Sequence, residues 1–455
     1  MNRYCLIYLF SITIISCQSI NPKSQNSISK DPQLVYKEYQ PSPSDYIISR
    51  SKYKDQFQGF WLGACIANWT GLVTEMDKIG NIGEIKTGDF YTREDWGKTD
   101  QPNIWDEGKP STLSETIDFV IRDTSEIWGA DDDTDIEYMY QHLLYLHQTS
   151  SLTGQQIREG WIKHIKAEEE NYLWVSNQQA YDLMRKGMIS PTTSDPENNS
   201  HYDMIDAQLT TEIFGLFAPA RPDIALSIAN LPIRTTARQN AALISEFYVI
   251  LHSLASKVDP SLSINHKIQW MADQARVHLP DTSYTAKMFD YVQRAHQLGW
   301  PWEQARDSIY IKYQVNQEDG YDITSQNLYC NGCFAAGINY AASLVSLFYG
   351  EGDIKETIKI GTLTGWDSDN PTATWGGLLG FMIGKKGIEF QFGSNLSNQF
   401  HIHRTRQHFP NDGIDSFERM AEEGVFIVDR VVQESMGGGV DLVKDVWYIP
   451  QAQSD

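Results

Sequence analysis

The stretch Ala130-Asp-Asp-Asp-Thr-Asp-Ile-Glu-Tyr-Met-Tyr-Gln-His-Leu-Leu144 joins an acidic turn to an apolar face. Ile136, Met139, Tyr140, Leu143 and Leu144 recur at intervals of three and four, the spacing of one side of an α-helix. Thr134, with Glu137 three residues on, predicts a capping box that leaves Asp131, Asp132 and Asp133 in the turn before the helix. Three adjacent carboxylates repel one another unless a cation lies among them. The positive end of a helix offsets only part of that repulsion, on the order of 1 kcal/mol. A solvated acidic loop that merely caps the helix is the plain alternative.

The same period runs outward on both sides. Ile157, Trp161 and Ile165 repeat at four after Thr153-x-x-Gln156, a capping-box start. Residues 241–255 and 334–349 are further apolar-rich helical stretches, the second punctuated by Gly350-Glu-Gly352. From about Phe57 to Gly387 the pattern is helical almost throughout, with no βαβ rhythm and no internal repeat. Ile388-Glu-Phe-Gln-Phe392 alternates and Val446-Trp-Tyr-Ile449 is apolar, which leaves room for a small β element near the C-terminus. The expected fold is all-α, a compact multi-helix bundle.

A second acidic turn, Gly365-Trp-Asp367-Ser-Asp369-Asn370-Pro371-Thr372, also enters a helix, with Asn370 as the expected N-cap and Pro371 at the first helical position. An Asp-x-Asp pair in a turn can direct both carboxylates into one cavity. Gly376, Gly380 and Gly384 follow at four-residue spacing, a stripe that admits a neighbouring backbone at a propensity cost of about 1 kcal/mol per glycine. Two acidic turns at positive helix ends offer hard oxygen ligands suited to Mg²⁺. His401, His403 and His408 form a rival cluster for Zn²⁺ or Ni²⁺, but no Cys or acidic partner stands at matching spacing, which favours a polar surface segment.

The ends of the chain carry different information. Residues 1–16 hold one charge, Arg3, and an apolar run from Leu6 to Ile15, too short to span a bilayer and suited to a signal peptide. Ile14-Ile-Ser-Cys17 resembles the bacterial lipobox, which makes Cys17 the expected lipidation site. Gln18 leans the expected location towards the outer membrane of a bacterial envelope. Residues 17–50, rich in Ser, Pro, Asn, Gln and Lys, are expected as a flexible tether. The domain then runs over 51–455, with 390–455 as a C-terminal extension. Against 37 Lys and Arg stand 59 Asp and Glu, a formal charge of -22, which argues against nucleic-acid binding through a basic face. Past the signal only Cys17, Cys65, Cys330 and Cys333 remain, too few for a disulfide-built fold. Cys330-Asn-Gly-Cys333, a lone CxxC, reads as a local disulfide or two buried thiols rather than a zinc site.

Asp-Asp-Thr at a helix start, then Gly-x-Asp-x-Asp some two hundred residues later before a Gly-rich helix, resembles the ADP-ribosylglycohydrolase family. Gly59-Phe-Trp-Leu-Gly63 through Glu75 is similar to the family's opening helix and loop. Leu152 to Trp161 is similar to the segment after the first acidic motif, and Ile205 to Ala225 to the middle substrate-loop region. The resemblance covers roughly residues 57–390. It implies an all-α domain holding two Mg²⁺ ions that bind the ribose of an ADP-ribosyl group.

Carried over by position, Asp131, Asp132, Asp133, Asp367, Asp369 and Asn370 are the expected metal ligands. Glu75 matches the acidic residue of a mobile loop that closes over the site. Glu75, Asp132 and Asp369 are the expected catalytic groups. Asn68, Asp206, Gln208, Glu246 and Trp366 are the expected substrate contacts, Trp366 by stacking on a ring.

The sequence departs from the family pattern at four places. Asp131 stands for a usual Thr or Ser, and Asn370 for a Thr. Ala67-Asn68 stands where Gly-Asp is common, and Ala237 where a substrate-touching His is expected. The resemblance implies a Mg²⁺-dependent glycohydrolase acting on an ADP-ribose-like molecule or conjugate, tied to the membrane by its N-terminal lipid. Two other readings stay open: a non-catalytic surface lipoprotein that binds a metal and a nucleotide, and a metal-dependent hydrolase of another extracellular glycoside or phosphoester.

Overall fold

The computed structural model describes residues 29–105, 111–167, 171–322, 330 and 332–452. The expected signal peptide, Cys17 and the first part of the tether lie outside the described residues. Fourteen α-helices appear among those described: α1 (Arg50–Gly71), α2 (Asp132–His147), α3 (Gly154–His164), α4 (Val175–Arg185), α5 (Ile213–Phe217), α6 (Pro222–Ile233) and α7 (Gln239–Leu254) come first. Then follow α8 (Ile264–Arg276), α9 (Tyr284–Gln297), α10 (Trp302–Ile309), α11 (Ala336–Tyr349), α12 (Ile354–Thr364), α13 (Asp369–Phe392) and α14 (Phe417–Glu434). The protein is mostly helical with two small sheets. No helix among the described residues is long and apolar enough to cross a membrane.

Helices α1 and α13 form the centre. Residues 59–68 of α1 and 369–381 of α13 are buried on every side, as helices without a solvent face must be. They lie antiparallel and closer than side chains allow. A Cβ on Gly63 would sit 2.3 Å from the Gly376 carbonyl oxygen, and one on Gly59 would sit 2.2 Å from that of Gly380. The glycine stripe expected to admit a neighbouring backbone thus meets a matching stripe on α1. At Gly384 the backbone turns to φ 71° and breaks the helical run.

Several boundaries differ from the sequence reading. Helix α2 starts three residues earlier, at Asp132, with Asp131 as N-cap accepting the Asp133 N–H; the Thr134–Glu137 capping box does not form. Helix α13 starts at Asp369, so Asn370 and Pro371 lie inside its first turn and Asn370 is not the cap. Asp132, Asp133 and Asp369 thus move into first helical turns, while Asp131 and Asp367 stay ahead of them. Ile388 to Phe392 is helical, not a strand. Five residues are too few to separate the two periods, and Phe390 is 86% exposed, with no sheet partner. Among the described residues of 72–127 the one helical element is the 3₁₀ turn Arg93–Asp95, in a region expected to be helical.

The chain ends pack together. Strand β1 (Tyr46–Ser49) pairs antiparallel with the C-terminal strand β6 (Val446–Ile449), which pairs with β5 (Gly439–Asp441). The apolar run at 446–449 is therefore the expected β element. Asp429 of α14 accepts from Arg50 Nε at 2.8 Å, Tyr36 Oη at 2.7 Å and Trp447 Nε1 at 2.6 Å. With Leu34 buried as well, residues 31–49 are docked rather than tethering, and 390–455 belongs to the same core. Their partners lie some four hundred residues away in sequence, which local composition does not register. The second sheet joins β2 (Trp128–Gly129) to β3 (Gln399–His401) in parallel, and β3 to β4 (Ile414–Ser416) antiparallel. It fixes the chain just before the first acidic turn.

The α1–α13 contact generates the first prediction. Gly63→Ala forces backbone apart at the centre of the core and should cost at least about 1–3 kcal/mol, the usual scale of overpacking. Urea unfolding checks it; an unchanged midpoint would mean that the two backbones separate freely.

Candidate metal centre

Three elements converge at one end of the central helix pair. The C-terminal turn of α1 reaches the first turn of α13: a Cβ on Gly71 would lie 2.4 Å from Asp369 Cα. Asn68, one turn earlier, donates from Nδ2 to Asp131 Oδ2 at 3.0 Å and to Asp133 Oδ2 at 3.4 Å. Asn370 donates from Nδ2 to Asp133 Oδ1 at 3.1 Å. These amides tie α1, α2 and α13 together through Asp133. Behind them, Arg406 and Asp135 form a fully buried ion pair at 2.9 Å that holds α2 against the C-terminal segment.

Two acidic groups result. Ligand atoms of Asp131, Asp132 and Asp133 lie within 4.8 Å of one another, and those of Glu75, Asp367 and Asp369 likewise. Both groups face one cavity of about 20 Å³. Six of its eleven lining residues are acidic, namely Glu75, Asp132, Asp133, Asp206, Asp367 and Asp369, and none is basic. Asp369 Oδ1 is buried with no hydrogen-bond donor. A carboxylate-rich set with an orphaned oxygen fits a hard divalent cation bound at two preorganised helix ends.

Burial, with Asp369, Asp132 and Asp131 as neighbours, pushes Glu75 well above the carboxylate range. Burial also raises Asp132, Asp133 and Asp367 well above it, each with surrounding aspartates adding to the effect. Asp131 is pushed up to about 8 by burial and then by Asp369, with the Asn68 amide opposing. Charge crowding on this scale marks a functional site more often than a structural one.

Glu75 does not sit on a free loop. Met76 N–H donates to Trp366 O at 2.9 Å and Trp366 N–H to Lys78 O at 2.8 Å, so the segment after α1 is zipped to the second acidic turn. Asn370 is at the site, but its NH₂ faces Asp133 and its oxygen accepts from Gln208 Nε2 at 3.3 Å. Its oxygen keeps a second lone pair beyond the Gln208 bond. Gln208 therefore touches the site through Asn370. Asp206 lines the cavity while accepting from Ser176 Oγ at 2.6 Å and Asn177 N–H at 3.0 Å, and burial pushes it to about 6.

Two expected substrate contacts fall elsewhere. Trp366 is fully buried, donating Nε1–H to Gln314 Oε1 at 2.8 Å and packed on Phe90, with no face for a ligand. Glu246 bonds Arg234 and His278, both at 2.7 Å, in a separate cleft that includes Arg238 and Ser283. In each case a stronger buried partner, distant in sequence, captured the side chain. The imidazoles of His401, His403 and His408 join neither acidic group. Cys330 and Cys333 are disulfide-bonded, one of the two expected states.

The structure adds Trp174, Val175 and Phe334, which no motif announced, beside Ile205 and Leu209 of the segment expected as the substrate loop. Trp174, Val175, Ile205, Leu209 and Phe334 form the apolar side of the cavity. Trp105 lies nearly parallel to both Trp174 and Phe334, with ring centroids 6.3 and 5.9 Å away. Trp105 and Trp174 remain about two-fifths exposed, unusual for indoles. Nothing in the local sequence distinguishes these aromatics from core residues.

The family model for ADP-ribosylglycohydrolase matches residues 49–429. No curated protein matches the sequence. Among solved structures, a chain of an "ADP-ribosylglycohydrolase-related protein complex" is similar at 13% identity and a TM-score of 0.45, covering 84% of this chain and 99% of that one.

The crowded carboxyls fix a pH dependence. A group whose pKa is higher in the folded chain than its unfolded value of about 4 stabilises the fold most below that value. Its contribution is lost as pH rises through the folded pKa. In EDTA the melting temperature should therefore fall between pH 5 and 8, the range that Asp131 spans with its value near 8. Added Mg²⁺ should raise it more at pH 8 than at pH 5. A melting temperature that is flat or rising in EDTA would contradict the crowding.

Proposed function

The chain belongs to the ADP-ribosylglycohydrolase family and is a hydrolase, and from that premise we propose that it cleaves the anomeric bond of an ADP-ribosylated conjugate or related ribosyl substrate with the help of two Mg²⁺ ions. The observation that carries this reading is the single cavity lined by both acidic turns. Asp131, Asp132 and Asp133 would hold one side of the metal pair, and Asp367 and Asp369 the other. When bound, the ions supply Lewis acidity that brings a water towards neutral pKa and orients the ribose hydroxyls.

The protein groups do the rest. Asp132 or Asp369 accepts the proton of the attacking water as its oxygen bonds to the anomeric carbon. Glu75, grouped with Asp367 and Asp369, would give a proton to the departing group as the glycosidic bond breaks. Trp174 and Phe334 at the cavity wall offer a face on which a planar ring of the substrate can stack.

One observation favours a second reading, a metal- and nucleotide-binding protein without turnover: Asn370 turns its NH₂ towards Asp133 where an oxygen ligand is expected. Mass spectrometry of ADP-ribosyl-peptide digests with Mg²⁺ separates the two. Turnover should fall at least about 10²-fold in Asp132→Ala and in Asp369→Ala. Trp174→Ala should raise KM up to about tenfold at constant kcat. Binding without turnover in the parent chain would favour the second reading. Inertness towards every ADP-ribose conjugate would point to another glycoside or a phosphoester.

The lipobox-like Ile14-Ile-Ser-Cys17 supports a place for this activity at the bacterial envelope. Palmitate labelling and membrane fractionation should both be lost in Cys17→Ala; labelling that persists would remove the anchor.

A further inference from the structure

The segment carrying Glu75 is held to the turn carrying Asp367 and Asp369 in three layers. Nearest α1, Ser368 Oγ donates to Gly71 O at 2.9 Å and lies 3.0 Å from Thr74 Oγ1. In the middle run the two backbone bonds between Trp366 and Met76 and Lys78. The third layer comes from outside both segments. Gln314, fully buried, accepts from Trp366 Nε1 at 2.8 Å and gives its own Nε2–H to Ile79 O at 3.3 Å.

Gln314 sits in the π-helical turn Tyr310–Val315 that continues α10. Such turns are uncommon and concentrate at functional sites, because the wider winding re-aims side chains that an α-turn would place elsewhere. Tyr310 of the same turn accepts the Asn81 N–H at 2.8 Å, and its ring packs on Phe90, which packs on Trp366. One π-turn therefore grips both the Glu75 segment and the second acidic turn.

The grip has something to hold. Met76 and Trp366, bonded to each other, are both non-glycine residues in the left-handed region, at φ 58° and 57°. Each such residue costs on the order of 1–3 kcal/mol and persists only where its surroundings over-determine it. The indole of Trp366 has its hydrogen bond to Gln314, and its packing is to Phe90.

We propose that Gln314 is a positioning residue for the metal centre: by bridging Trp366 Nε1 and Ile79 O it sets the separation of Glu75 from Asp367 and Asp369. The proposal rests on the metal reading given above. Groups one step behind metal ligands commonly affect affinity by 10–100-fold.

Mn²⁺, titrated by calorimetry into the full chain, is the probe. Gln314→Leu, at one contact further out than groups bonded to the ligands, should weaken Mn²⁺ binding by up to about tenfold, with the circular dichroism spectrum unchanged. Gln314→Glu keeps the acceptor for the indole and should recover part of the loss. Trp366→Phe removes only the indole donor and keeps the packing on Phe90. It should weaken binding in the same direction, and the double variant should be no worse than Gln314→Leu alone. Trp366→Phe also serves if Gln314→Leu fails to fold. Mn²⁺ affinities equal to the parent in the folded variants would overturn the positioning role while leaving the metal centre intact. A parent chain that takes up no Mn²⁺ would overturn the metal reading, and this role with it.

Discussion

Gly63 and Gly376 meet backbone to backbone, and at the far end of the same contact Gly71 lies against the Cα of Asp369. At Gly59, Gly63 and Gly71 no side chain fits against α13, so the relative position of the helices is set there by main-chain atoms that do not repack. The consequence reaches the site directly. Asn68 on α1 and Asp369 and Asn370 on α13 take their places from this contact, and α2 is then drawn in by the two amides that Asp133 accepts. A close backbone contact is rigid because interiors are packed densely and have few alternative arrangements. Rigidity matters here because a cation centre needs oxygens held at fixed positions before the ion arrives.

That rigidity opposes a large repulsion. Carboxylates crowded in a low-dielectric cavity disfavour their own charged forms, which is why Glu75, Asp132, Asp133 and Asp367 are all raised. Two helix N-termini and the amides of Asn68 and Asn370 relieve part of it, and the remainder suits a divalent ion. Around the cluster the fold also tolerates left-handed Met76 and Trp366. Local strain and like-charge crowding are both unfavourable to folding, and both collect at the acidic cavity. The central helices and the buried Arg406–Asp135 and Arg50–Asp429 pairs lie outside the cavity and anchor the elements that form it.

The chain ends complete this frame. Asp429 gathers Arg50, Tyr36 and Trp447, joining the N-terminal arm, the start of α1 and the last strand in one buried polar cluster. A buried carboxylate with this many donors is satisfied as a group, and losing one partner would leave the others exposed to the desolvation cost of the charge. The start of α1 is thereby tied to α14 and β6, opposite the end that meets the metal centre.

Local patterns carried the helices and most of the acidic residues that line the cavity. The three- and four-residue recurrence of Ile136 to Leu144 yields α2 because a helix needs only an apolar face and a start signal, both local. The glycines at 376 and 380 announced a close neighbour, and the Asp runs announced charge crowding. What the sequence left open was where a side chain goes once several partners compete for it. Trp366, beside Asp367, turned inward to Gln314; Glu246 went to Arg234 and His278; Tyr36 and Tyr46, in a stretch that composition marks as flexible, found α14 and β6. The cavity's aromatic wall of Trp174 and Phe334 has no motif at all. Helix formation depends on neighbours within one turn, and the residues themselves determined it. The destination of a polar or aromatic side chain depends on donors and surfaces beyond its own helical turn, from 12 residues away for Glu246 to 393 for Tyr36, and only the packed chain decided that.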